Sequence, residues 1–298
     1  MFTSPPWLKS LIQEEALPAA FADLAVTYYL PLAYQIQSWR KKTTTPLVVG
    51  INGAQGTGKS TLCRVLAKAL EYEHDLSCAV ISIDDIYLTR SERYQLAENV
   101  HPLLRTRGVP GTHNVEMGIK LINALKNGEK PAIPVFDKSI DDRAPADEWI
   151  TPDHTVDVIL FEGWCVGAIA QQNQALATPI NTLEETEDKD GLWRKFANQQ
   201  LRESYTELFS LMDRLVMLKA PDFESIYEWR KTQEDKLRQR SNGSNIMNAE
   251  EIARFIMHYE RLSRWMFKEM PARADYLLEL TPDHTIAQAS YQNQLISH

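Results

Sequence analysis

The sequence predicts a three-layer α/β sandwich, a mostly parallel sheet with helices on both faces. Three observations predict it. Apolar, β-branched runs at 47–51, 78–83 and 156–161 alternate with helix-patterned stretches, the order that builds parallel sheets. Two of the runs end in carboxylates, at Asp84 and Asp85 and at Glu162, where open α/β sheets bind ligands. A glycine-rich turn joins the first run to a helix.

Residues 5–40 carry apolar positions at helical spacing, broken near Pro18 and Pro31. They predict a helical preamble, 1–45, ahead of a main domain at 46–298. A helix is expected from about Lys59, and another over 115–126 with Asn114 as N-cap. Residues 132–136 read as strand-like. Residues 171–191 read as a polar, loop-like excursion. Weaker strands are expected at 215–218 and 276–280. TPDHT occurs at 151–155 and 281–285. One copy precedes a strand and the other a helical tail, so it reads as turn chemistry rather than a repeat. The helical stretch with Arg254, Tyr259, Arg261 and Trp265 reads mainly as packing.

The chain has 298 residues, 44% of them hydrophobic and 24% charged, enough to bury a sizeable core. A formal net charge of −8 argues against a broad nucleic-acid or anionic-membrane surface. An anionic ligand then needs a local basic cluster. Cys63, Cys78 and Cys165 lie far apart, the pattern of reduced thiols. The first residues lack a signal-peptide pattern, and no apolar run approaches membrane-spanning length. The expectation is a cytoplasmic protein with a small-molecule substrate, no nucleic acid and no membrane partner. Oligomeric state is left open, with a monomer favoured.

Gly53, Ala54, Gln55, Gly56, Thr57, Gly58, Lys59 and Ser60 match G-x-x-x-x-G-K-[ST] at every fixed position, between an apolar strand and a helix. That context gives the pattern its meaning. Glycines let the backbone curl so that successive N–H groups point at phosphate oxygens, and the helix N-terminus adds partial positive charge. Lys59 is expected to reach the β- and γ-phosphates, Ser60 to ligate Mg²⁺, and Thr61 to help hold the α-phosphate. These residues predict a P-loop NTPase sandwich that uses ATP and Mg²⁺. The competing reading is a glycine-rich turn that imitates the motif.

One of Asp84 and Asp85 suits the base that takes a proton from an attacking hydroxyl, and the other a cap. Glu162 ends a Walker-B-like strand and suits Mg²⁺ or its water shell. Arg105, Arg107 and His113, on a loop with two glycines, suit a grip on a carboxylate; a solvated charged loop is the alternative. Lys138, in a second polar loop before Arg143, either contacts substrate or lies in a surface turn. Arg238 and Arg240 precede the turn at 241–245, where they suit a lid that closes over a triphosphate. A salt-bridged helix face is the bland alternative.

With these residues placed, the chain resembles the D-glycerate 3-kinase family of P-loop kinases, relatives of uridine kinase, phosphoribulokinase and P-loop pantothenate kinase. GAQGTGKST and SIDDIY belong to that wider superfamily. RGVPGTHN at 107–114, FDKS at 136–139, FEGWCVG at 161–167 and WRKTQEDKLR at 229–238 are more specific to the glycerate kinase group. Asn114 departs from that group's pattern, which often carries Asp there. The resemblance implies ATP-dependent phosphorylation of D-glycerate to 3-phosphoglycerate, with Asp84 as the base.

Two other readings stand beside it. A kinase for another small metabolite (a nucleoside, pantothenate or a sugar phosphate) would share the P-loop, and Tyr87 and Tyr94 could stack on a nucleoside. A non-catalytic ATP-binding regulator would form no ADP in response to an acceptor.

Overall fold

The computed structural model describes residues 4–240, 247–292 and 294–295. Three helices come first, α1 (Pro6–Glu14), α2 (Phe21–Leu24) and α3 (Leu30–Arg40). Then follow β1 (Leu47–Gly53), α4 (Lys59–His74), β2 (Cys78–Ser82), α5 (Arg90–Asn99), α6 (Val115–Lys126), β3 (Phe136–Asp137), β4 (Asp142–Arg143) and β5 (Val158–Gly163). The second half holds α7 (Thr182–Glu187), α8 (Leu192–Arg202), α9 (Ser204–Ser210), β6 (Arg214–Lys219), α10 (Phe223–Arg240) and α11 (Ala249–Glu269). It closes with β7 (Tyr276–Leu280), β8 (Ile286–Tyr291) and β9 (Gln294–Leu295).

The main sheet runs β2-β5-β1-β6-β7-β8-β9. Its first five strands are parallel, and the β7–β8 and β8–β9 pairs are antiparallel. Because side chains alternate along a strand, each strand feeds two cores. Leu47, Val49 and Ile51 meet α4 on one face, while Val48, Ile159 and Phe161 meet α6 and α9 on the other. The first three helices share the α4 core: Leu32 and Ile36 have no solvent exposure and lie in one cluster with Leu62 and Leu66. Truncating either to alanine would cost roughly 2–5 kcal/mol.

Four expectations change. Pro31 does not break the preamble, because a π-helical turn at Ala25–Tyr29 runs straight into α3. The wider turn accommodates a residue that lacks an N–H. The 132–136 run contributes only Phe136 to a strand, with Ile133 in an isolated bridge to Ile150. The 171–191 excursion is ordered: it contains α7, and Leu176, Leu183, Glu184 and Asp188 are buried. The expected helical tail is instead β8 and β9, since pairing along the β7 edge overrides local propensity.

Candidate active site

β1 delivers the chain into the turn at 54–58, and α4 leaves from it at Lys59. Gly56 and Gly58 take φ of 81° and 87°, a region that residues with a Cβ rarely occupy. The Thr57 hydroxyl donates to the Ala54 carbonyl at 2.8 Å, and Lys59 Nζ donates to the same oxygen at 3.1 Å. The lysine ammonium therefore folds back over the turn.

Glu162 pairs in register with Ile51 on β1 and Ser82 on β2. It sits between the P-loop strand and the strand that leads to Asp84. Glu162 is 7% exposed, and its carboxylate accepts from the Ser60 hydroxyl at 3.2 Å. A hydroxyl and a carboxylate meeting at the head of α4 are hard oxygen donors of the kind Mg²⁺ takes alongside phosphate oxygens.

Asp84 and Asp85 share one 3₁₀ turn but serve different neighbours. Asp85 accepts the Phe136 N–H at 3.1 Å, which ties it to the β3–β4 hairpin. Burial pushes its carboxyl up to about 6. Asp84 accepts from Lys138 Nζ at 2.7 Å. Burial works to raise the Asp84 carboxyl, but the charge and hydrogen bond of Lys138, the charge of Lys59 and the Tyr87 hydroxyl together hold it below its ordinary value. The exposed Lys138 loop is thus tied to Asp84.

Tyr87 is buried and stacks on the His113 ring at 4.4 Å. His113 is buried too, and burial lowers its pKa to about 3. It is a neutral ring and not an exposed cation. Arg107 pairs with Asp141 and lies over the Phe136 ring. Arg105 faces outward, its guanidinium over Tyr94 at 4.8 Å. The structure therefore gathers Lys59, Ser60, Asp84, Tyr87, His113, Lys138 and Glu162, while Arg105 stands outside. Arg238 lies on α10, but its side chain, that of Arg240 and the turn at 241–245 fall outside the described residues.

Several neighbours read in the sequence as motif, turn or packing residues and not as part of the site. The second TPDHT turn places His284 over the P-loop, where Nε2 donates to the Gly56 carbonyl at 2.9 Å. Trp229 packs on His284 at 4.2 Å between ring centres. A groove of about 730 Å³, lined in part by Tyr227, Trp229, Arg264 and His284, opens beside them. Tyr259 on α11 donates to the Arg107 carbonyl at 3.2 Å and feels the charges of Asp84 and Arg230. Only the folded chain brings α11 to the 107–114 loop.

This fold and site have relatives. The structure is similar to that of a D-glycerate 3-kinase from Cryptococcus neoformans, with a TM-score of 0.71 and 25% identity over 88% of this chain and 97% of that one. A chloroplastic D-glycerate 3-kinase of Arabidopsis thaliana is 28% identical over 81% of this chain, which spans about half (52%) of that protein. An uncharacterized kinase of Schizosaccharomyces pombe is 34% identical over 224 residues, 72% of this chain and 78% of the relative. The chain belongs to a family of ATP-dependent P-loop kinases, and it is similar to D-glycerate 3-kinases. Models of known protein families, compared separately, give no match. As a member of this family the chain is an ATP-dependent phosphotransferase with an alcohol group as acceptor, and it works with ATP and Mg²⁺. Among the described residues, no helix is long and apolar enough to cross a membrane.

Proposed function

We propose that this kinase transfers the γ-phosphoryl group of ATP to a hydroxyl of D-glycerate, giving 3-phosphoglycerate. The observation that carries the reading is the position of Asp84. Its carboxylate feels the charge of Lys59 of the P-loop and accepts a hydrogen bond from Lys138. A hydroxyl bound there lies between a base and the phosphate-binding turn. The likeness to two D-glycerate 3-kinases supports glycerate as the acceptor.

The geometry supports the following roles. Lys59 and the amides of the 53–60 turn bind the β- and γ-phosphates and spread their charge. Ser60 and Glu162 would hold Mg²⁺, which when bound neutralises phosphate oxygens. Asp84 takes the hydroxyl proton as the acceptor oxygen bonds to the γ-phosphorus and the bond to the β-phosphate oxygen breaks, releasing ADP. Lys138 and Arg107 supply positive charge for the carboxylate of the acid, with Tyr87 and His113 as the wall. Arg238 is the proposed cation of the lid. The groove at Trp229 and His284 is placed to take the nucleoside end of ATP.

The test is ADP release, measured in parallel with D-glycerate, pantothenate, uridine and no acceptor. ADP formation with D-glycerate alone, and product identified as the 3-phosphate by ³¹P NMR, is the expected result. Turnover of pantothenate or uridine without glycerate would remove the assignment. ATP binding with no acceptor-dependent ADP would instead favour a regulator.

A further inference from the structure

One buried group beside Asp84 has a bonding capacity that the roles above leave unused. His113 is 4% exposed, and its Nε2 is buried with no hydrogen-bond partner among the described residues. On the other side of the ring, Nδ1 lies 2.5 Å from the hydroxyl of Tyr205, a fully buried residue of α9. That hydroxyl also accepts the Gly111 N–H at 2.9 Å. A phenol has one proton to give, and a neutral imidazole carries one donor and one acceptor nitrogen. If Nδ1 carried the ring proton, it would donate to an oxygen that already accepts the Gly111 N–H, and the phenol proton would be left without an acceptor in a buried site. The arrangement that satisfies both groups has Tyr205 donating to a bare Nδ1, which leaves the ring proton on Nε2.

We infer that Tyr205 is a positioning residue that locks His113 in the Nε2–H tautomer, so that a neutral, buried N–H donor faces an oxygen of the acceptor substrate. The inference rests on the reading of the Asp84 pocket as the acceptor site. Stacking on Tyr87 fixes the ring plane, and the charge that acts on the ring is that of Asp84. A neutral donor grips a substrate oxygen without adding a further cation to Lys138 and Lys59 beside the base, which would weaken it. It also selects against an acceptor lacking that oxygen, because the N–H would then stay buried and unpaired.

The tautomer is read directly from long-range ¹H–¹⁵N spectra of ¹⁵N-histidine-labelled enzyme, with His113 assigned by its loss in His113→Gln. The wild type should show a protonated Nε2 and a bare Nδ1, and Tyr205→Phe should lose that pattern. Steady-state kinetics of Tyr205→Phe should show an acceptor KM raised about tenfold, the loss of one buried hydrogen bond, with kcat and the KM for ATP unchanged. A proton on Nδ1 in the wild type overturns the inference. So does a Tyr205→Phe enzyme in which kcat and both KM values worsen together, as a packing defect would give. The tautomer is measured without any acceptor. If glycerate is not phosphorylated, the proposed function falls, while the spectrum, and kinetics with whichever acceptor is turned over, still decide the role of Tyr205.

Discussion

Lys138 Nζ and Asp84 Oδ2 meet at 2.7 Å, although 54 residues separate them in the chain. Asp84 follows β2, and Lys138 sits in the β3–β4 hairpin, which Asp85 anchors through the Phe136 amide. The proposed base, Asp84, and the anchor of the hairpin that carries its counter-charge are therefore adjacent carboxylates of one short turn. Asp84→Asn should lower kcat roughly 100- to 10,000-fold while ATP affinity, measured by calorimetry, stays unchanged. In Lys138→Met, burial is opposed only by Lys59 and Tyr87, so the Asp84 carboxyl rises. The active form is the ionised one, present above this pKa and lost as pH falls through it. The acid limb of the kcat/KM profile should therefore move to higher pH.

Glu162 and Ser60 meet at the head of α4. Glu162→Gln removes the charge and keeps the shape. The Mg²⁺ concentration for half-maximal rate should rise by roughly tenfold or more, read from a Mg²⁺ titration at saturating ATP. An unchanged titration would remove Glu162 from the metal site.

Asp85 gives a stability prediction with a defined sign. Burial raises its carboxyl to about 6 in the fold, against about 3.9 in an unfolded chain. Between those values the folded state binds a proton that the unfolded state has released, so this residue's contribution to stability falls as pH rises through the window. Asp85→Asn keeps an acceptor oxygen for the Phe136 amide and cannot ionise. Its melting temperature should gain on that of wild type as pH rises from about 4 to about 6.

Gly56→Ala probes the P-loop and its cover together. The φ of 81° disfavours a side chain, and a Cβ there would meet the Trp229 Cβ at 2.9 Å. The KM for ATP should rise at least about tenfold with the acceptor KM little changed.

Glu184 has no solvent exposure and bonds Arg261 at 2.6 and 2.7 Å. Glu184→Ala takes the counter-charge from a largely buried guanidinium, which keeps only its bonds to the Ala175 and Thr178 carbonyls, and should cost about 3–5 kcal/mol, seen as a lower denaturation midpoint in urea. The pair joins the 171–191 segment to α11, which in turn supports Tyr259 and the 107–114 loop.

The parallel strands and the P-loop were legible because local rules govern them. Apolar runs of the right length precede a glycine-rich turn, and α4 begins at Lys59, where the motif sets the helix start. The Asn114 cap was readable for the same reason, its side chain accepting the Met117 N–H at 3.0 Å. The C-terminal strands were not, because IAQASY pairs through an edge that β7 supplies from outside the segment. Polarity made 171–191 look like a loop, since the buried ion pair that orders it has its cation on α11.

By itself the sequence determined the phosphate-binding turn, the strand-end carboxylates and hence a nucleotide-dependent α/β fold, because each depends on neighbours a few residues away. Tertiary structure decided which of two adjacent aspartates faces Lys138, that His113 is neutral, and that Tyr205, Tyr259 and His284 border the site. Charge state and hydrogen-bond role depend on burial and on partners distant in the chain, and those exist only once the layers have packed.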